Sequence, residues 1–231
     1  MTAPLVIAHR GLHRELPENT AAALAAAAAA GADGVELDVQ QTAEGALVLH
    51  HDTEVAGEPI DSLPLARLRE LRPPPLAPAL DEALAAVPED VLVVAELKRA
   101  PAAPVAAALR GRRHLFLSFL AGTLRDASDA APGVPRGLLV GLGGDEPDAG
   151  ELLRRAREAR ADFVAIEVRL AGDETLARTA AELAPSWVWT VNEERDLERL
   201  LGRDDVGAVV TDRPEEALRL RAARARAADG S

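Results

Sequence analysis

Five histidines occur in 231 residues, and His9 stands beside Arg10 directly after a short apolar run, in "IAHRGLHRELPENT". Further along, "GVELDV" places Glu36 and Asp38 two residues apart, so on a strand both side chains leave the same face. Two carboxylates held that close repel each other unless a cation or a proton separates them. "VLVVAELK" repeats the spacing with Glu96 and Lys98. A third carboxylate makes an all-oxygen cluster, a donor set suited to Mg²⁺, Ca²⁺ or Mn²⁺ and unattractive to soft metals. Lys98 adds a compact positive charge beside such an ion, and a phosphate is the natural ligand for metal and ammonium together. Taken alone, either pair is also compatible with ordinary ion pairing. Lys98 is nevertheless the only lysine of a chain otherwise rich in arginine, which marks a position where arginine does not serve.

The second histidine comes from "ELDVQQTAEGALVLHHD". A two-residue turn at Glu44 and Gly45 pairs positions whose numbers add to 89, setting Asp38 across from His51. A three-residue turn slips the register by one and brings His50 there instead. Both histidines stand as candidates on this ground. Two imidazoles flanking a metal-bound phosphodiester supply a general base and a general acid on opposite sides of phosphorus, with Arg10 clamping the phosphate or positioning a carboxylate.

Such groups converge only if their elements do. Short apolar runs, "LVIAH", "GVELDV", "VLVVAELK", "LFLSF", "GLLVGL", "FVAIEV", "WVWTV" and "AVVTD", alternate with Ala/Leu/Arg-rich helical stretches, and eight βα units close a barrel. The expected fold is therefore α/β, a (β/α)8 TIM-type barrel with a β-hairpin excursion after the second strand, spanning residues 1–231 as one domain. An open doubly wound sheet is disfavoured because no Gly-x-Gly-x-x-Gly follows the first strand. In the barrel, His9 and Arg10 end the strand adjacent to the one bearing Glu36 and Asp38, so all these groups face one mouth. "AAALAAAAAAG" reads as the first helix, capped by Asn19 or Thr20 and ended by Gly31, and is too short and too weakly apolar for a membrane span. "RPPPLAP" reads as a rigid connector and "GLGGDEPDAG" as a mobile loop without the ending of a phosphate loop.

The net charge of −12 argues against nucleic acid or an anionic membrane as the main partner, the basic tail "RLRAARARAADGS" being read as a last helix that suits its own dipole. Without cysteine there are no disulfides, thiolate metal sites or cysteine nucleophiles, and with no secretory signal ahead of His9 the expectation is a cytoplasmic protein.

The ordered set "HRG" with "PENT", then "ELDV", a His-Asp pair, "ELK", "WTVN" and "TDRP" resembles the glycerophosphodiester phosphodiesterases from residue 5 to about residue 218. The resemblance implies a (β/α) barrel and metal-dependent hydrolysis of glycerophosphodiesters to glycerol 3-phosphate and an alcohol, a small-molecule substrate. It places the metal carboxylates on Glu36, Asp38 and Glu96 and the catalytic pair on His9 and His51, the histidine that precedes Asp deciding against His50. It also makes Lys98 the phosphate-side lysine, Arg10 the arginine of the first motif, and Trp189 the aromatic bordering the alcohol or glycerol part, while Trp187 shares the Trp189 strand face. His9 is then the base and His51 the acid. Relatives often carry a Leu-Asp-Arg-Thr stretch and a longer inserted subdomain after His-Asp. Here "HDTEVAGEPIDSL" is compact, which leaves the leaving-group side more open. The rival readings are a phospholipase D-like lyase acting on lysophospholipids, a non-catalytic phosphate-binding barrel, and a metal-dependent sugar isomerase or aldolase barrel. Asp212 and Asn192 read as helix caps, Asn19 as a helix-start residue whose alternative role is orienting a catalytic group, His13 as a loop residue, and His114 as lying at the opposite end of the barrel. Glu167 and Ser118 are secondary candidates for the mouth.

Overall fold

In the computed structural model, which describes residues 3–141 and 147–229, the apolar runs become strands whose alternate residues point inward and outward. β1 (Leu5–Ala8) leads through α1 (Ala21–Ala29) to β2 (Gly34–Gln41), which folds back as the antiparallel β3 (Leu47–Leu49). A ribbon of β4 (Glu54–Val55) and β5 (Glu58–Pro59), then α2 (Leu65–Leu71) and α3 (Leu80–Leu84), complete the excursion. The chain then alternates through β6 (Leu92–Leu97), α4 (Ala102–Ala108), β7 (His114–Ser118), α5 (Ala121–Ala130), β8 (Arg136–Val140), α6 (Ala149–Glu158) and β9 (Phe163–Glu167). It closes with α7 (Asp173–Glu182), β10 (Ser186–Trp189), α8 (Glu194–Leu200), β11 (Val206–Thr211) and α9 (Pro214–Asp229). β1 pairs in parallel with both β11 and β2, so the eight parallel strands close into the expected (β/α)8 barrel. Of the expected loop "GLGGDEPDAG", residues 142–146 lie outside the described residues.

Period-two alternation divides each strand between two cores. Ile7, Val94, Leu117, Leu139, Phe163 and Trp187 fill the barrel, while Val35, Leu37, Val39, Val93, Ala95 and Leu97 pack outward beneath the helices. The barrel interior is largely aliphatic, with Phe163 and Trp187 as its aromatic plug, ring centroids 5.0 Å apart. Thr20 caps α1, its hydroxyl accepting from the Ala23 N–H at 3.3 Å. The excursion has a small core of its own, Val48, Val55, Ile60, Leu63, Leu68 and Ala77, which explains how so compact an insert holds a shape. No described helix is long and apolar enough to cross a membrane.

The hairpin corrects the two-residue turn. β2 and β3 pair Val39 with Leu49, Gln40 with Val48 and Gln41 with Leu47, a register adding to 88, not 89. Residues 43–45 form a three-residue loop in which Gly45 takes φ +91°, the left-handed position such a turn requires.

Candidate active site

Strand register decides which side chains meet. Pairing of β2 with β6 aligns Asp38 with Glu96, and pairing of β1 with β11 runs Ile7 against Val210, so the next inward positions, His9 and Asp212, fall side by side. All of these lie at the C-terminal ends of their strands, where barrel loops converge. The turn after β1 is tight: Arg10 and Gly11 both have positive φ, +53° and +86°. A Cβ on Gly11 would sit 2.6 Å from the Ala23 carbonyl carbon, so the third residue of "HRG" must be glycine for α1 to pack against this turn. The turn aims the Arg10 backbone N–H at Glu36 Oε2, 3.0 Å away.

Glu36, Asp38 and Glu96 are buried, and one oxygen from each lies within 4.8 Å of the others. Lys98 Nζ bridges Glu96 Oε1 at 2.9 Å and Asp38 Oδ1 at 3.2 Å. Arg10 Nε stands 3.1 Å from Asp38 Oδ2, while its Nη1 donates to both Glu18 oxygens at 2.9 and 3.0 Å. Of the two roles expected for Arg10, the positioning of carboxylates is the contact seen. Asn19, held at φ +55°, clamps Asp38 from the side: its Nδ2 donates to Oδ2 at 2.8 Å and its Oδ1 accepts from the Asp38 N–H at 3.1 Å.

The electrostatics follow from crowding. Burial, with repulsion from Asp38 and Glu96, pushes the Glu36 carboxyl well above the usual carboxylate range. Burial and Asp38 raise Glu96 to about 7. Burial pulls Asp38 the same way, but Lys98, Arg10 and the Asn19 hydrogen bond outweigh it and hold that carboxyl below its ordinary value. Asp38 Oδ1 is buried and accepts no hydrogen bond, Lys98 Nζ being near it but poorly aimed. Two acids pushed toward their protonated forms, beside an ionised Asp38 with an orphaned oxygen, fit the donor chemistry of a hard divalent cation.

Opposite the acids, the cavity of about 220 Å³ is walled by Leu117, Phe119, Leu139, Trp189 and Val210, and His9, Arg10, His51 and Lys98 open onto it. Trp189 is pinned by its indole N–H, which donates to the Ala165 carbonyl at 2.9 Å, and meets Phe119 edge to face with centroids 5.5 Å apart. Trp187 lies one layer deeper in the barrel and does not line this cavity. The slipped hairpin register would have favoured His50, yet β3 ends at Leu49 and the chain turns there. His50 Nδ1 donates to the Asp52 carbonyl at 2.9 Å and its Nε2 accepts from Arg72 Nε at 3.3 Å, away from the cavity. His51 reaches the cavity instead, its Nδ1 2.9 Å from Asp52 Oδ1.

Residues 9–108 match the family model described as the glycerophosphoryl diester phosphodiesterase family. A glycerophosphodiester phosphodiesterase of Caldanaerobacter subterraneus is 32% identical over 94% of this chain and 97% of its own. The chain belongs to the glycerophosphoryl diester phosphodiesterase family. It is accordingly an enzyme, a phosphoric diester hydrolase. The crystal structure of a Thermotoga maritima glycerophosphodiester phosphodiesterase shares the fold, with TM-score 0.80 at 24% identity, covering 96% of this chain and 100% of that one. An Oleispira antarctica phosphodiesterase, solved with the product sn-glycerol-3-phosphate, superposes with TM-score 0.81 at 25% identity over 94% of this chain and 96% of its own.

Several groups around this cavity were not legible in the sequence. Asp212 and Asn192, expected as caps, form a network under His9. Asp212 Oδ1 accepts from His9 Nδ1 at 2.7 Å and His13 Nε2 at 3.1 Å, while Oδ2 accepts from Asn192 Nδ2 at 2.6 Å. Burial opposes the charge of Asp212, but hydrogen bonds from His13, His9 and Asn192 outweigh it and hold the carboxyl far below its usual range. The signal was available, since closure of the eighth strand onto the first puts "TD" beside "AH". Glu18 and Phe119 gave no such signal, because only the loop paths bring them in. Ser118 is structural, its hydroxyl donating to the Leu97 carbonyl at 2.9 Å, and Glu167 pairs with Arg169 at 2.8 Å in an adjoining groove. His114 begins β7, at the far end from the mouth as expected.

Proposed function

We propose that the enzyme hydrolyses glycerophosphodiesters to glycerol 3-phosphate and an alcohol, with His9 as general base and His51 as general acid. The observation that carries this reading is the convergence on one small cavity of Glu36 and Glu96, with Asp38 clustered beside them, one lysine and two imidazoles. Glu36, Asp38 and Glu96 would hold a divalent cation, Mg²⁺ or Ca²⁺, with Mn²⁺ a further match to the donor set. Such an ion offsets negative charge on the phosphoryl oxygens. Lys98 adds a second positive charge on the same side, and Arg10 keeps Glu36 and Asp38 in place. Asp212 fixes the His9 proton on Nδ1, which leaves the Nε2 lone pair on the opposite edge of the ring to take a proton from the attacking group, water or the glycerol 2-hydroxyl. His51 is the more exposed imidazole, 40% against 19% for His9, which suits donation to an alcohol that departs toward solvent. The apolar wall of Leu117, Leu139, Val210 and Trp189 suits the carbon skeleton of the glycerol part.

Exposed Phe119 and Leu120 beside the mouth favour a second reading, action on lysophospholipids, though two side chains cover little of an acyl chain. One assay separates the cases. Glycerol 3-phosphate should be released from a panel of glycerophosphodiesters with Mg²⁺ or Ca²⁺, and release should stop in EDTA and in His51→Ala. Turnover confined to lysophospholipids selects the second reading, and no turnover on either class overturns both.

A further inference from the structure

Outside the carboxylate cluster, a second group of ligating atoms occupies the rim. We propose that His9, His13 and Asp212 form a zinc site whose occupancy switches the phosphodiesterase off, an inference that rests on His9 being the base. His9 Nδ1 and His13 Nε2 approach the same oxygen, Asp212 Oδ1, at 2.7 and 3.1 Å, and the three atoms lie within 4.8 Å of one another. The carboxylate is anchored by Asn192 Nδ2 on its other oxygen, so Oδ1 points between the two rings, whose centroids are 6.4 Å apart. All three residues are only partly buried, so an ion and a fourth, water ligand have access.

The donor types sort the metals. Two imidazole nitrogens and one carboxylate oxygen with an open fourth position suit Zn²⁺, whereas the oxygen-only cluster of Glu36, Asp38 and Glu96 suits hard ions. Zinc bonds of about 2.0–2.1 Å in a tetrahedron separate neighbouring ligand atoms by roughly 3.3 Å. The nitrogen–oxygen distances therefore need to open by roughly 0.6 Å at His9 and roughly 0.2 Å at His13, the latter a shift that the loop carrying His13, between β1 and α1, can supply.

Inhibition follows from the tautomer. Without zinc, the His9 proton is on Nδ1 facing Asp212 and the Nε2 lone pair is free. Zinc takes the Nδ1 lone pair, so the ring proton transfers to Nε2, and a neutral His9 then presents an N–H where the reaction needs an acceptor. His13 likewise binds through the Nε2 lone pair with its proton on Nδ1.

Co²⁺ replaces Zn²⁺ as a spectroscopic probe. The wild-type protein and the Glu36→Gln/Glu96→Gln double variant should both show the intense visible absorption of a four-coordinate nitrogen and oxygen site, and His13→Ala and His13→Gln should lose it. Under saturating Mg²⁺, the Zn²⁺ concentration that halves wild-type turnover should rise at least tenfold in His13→Gln. Absence of the Co²⁺ band from the wild type, its survival in both His13 variants, or zinc inhibition that ignores His13 overturns the proposal. The Co²⁺ arm uses no substrate, so it decides the site even if the hydrolytic reading fails.

Discussion

Replacing Asp212 by asparagine tests whether the carboxylate beneath His9 sets its tautomer. Two acceptors are needed at position 212, one for His9 Nδ1 and one for Asn192 Nδ2. An amide offers one acceptor and one donor. With its oxygen toward His9, its NH₂ meets the Asn192 NH₂ donor to donor. Asn192 cannot turn over to relieve this, because its Oδ1 already accepts from the Asp212 N–H at 3.0 Å and the Thr211 hydroxyl at 3.2 Å. With the new amide flipped, its NH₂ faces His9 Nδ1, and the His9 proton moves to Nε2, which removes the acceptor of the proposed base. A hydrogen bond to a charged partner contributes about 1.5–3 kcal/mol, so Asp212→Asn should lower kcat/KM by roughly 10- to 150-fold at saturating metal. The loss should fall mainly on kcat, since Asp212 is absent from the cavity wall. The assay is the rate of glycerol 3-phosphate release, with a melting curve to show that the variant is folded. A folded Asp212→Asn enzyme within a factor of two of wild type would refute the reasoning.

His51→Asn should lower kcat by about 10²–10⁴, the usual contribution of a positioned proton donor, while His50→Asn, whose ring points away from the cavity, should stay within about tenfold of wild type; steady-state kinetics in which the two variants change places would reassign the acid. Between the ordinary carboxyl value of 4.5 and about 7, the metal-free folded state holds more protons at Glu96, and likewise at Glu36, than the unfolded chain does, so stability falls as pH rises through that window. The Asp212 hydrogen bond raises His13 above 6.5, and the stability this brings is lost as pH climbs past its folded value, the same sign. The melting temperature in EDTA should thus drop between about pH 5 and about pH 7.5 and recover with Mg²⁺ or Ca²⁺ at the upper end; a flat profile that ignores metal would count against the cluster as a cation site. Gly11→Ala combines a positive φ with a Cβ 2.6 Å from the α1 backbone, and should cost about 2–4 kcal/mol in urea unfolding; a loss under about 0.5 kcal/mol would mean that the turn relaxes freely.

Both the barrel and the core of its site were legible in the chain. Strand positions followed from apolar runs between helical stretches, because each inward and outward residue is buried against a different layer. Glu36 with Asp38, and Glu96 with Lys98, were legible as pairs because two residues along a strand return a side chain to the same face. The hairpin register was not, since Glu44-Gly45 fits two turn lengths and only the packed insert selects the longer one.

What the sequence determined alone is local: which residues form strands and which of their faces carry acids. What the tertiary structure decided is who stands beside whom across distant segments. Barrel closure brings Asp212 under His9, 203 positions away, and the turn out of β3 selects His51 over its neighbour. Periodicity is a property of consecutive residues and can be read from them, whereas adjacency across a closed sheet arises only when the last strand meets the first.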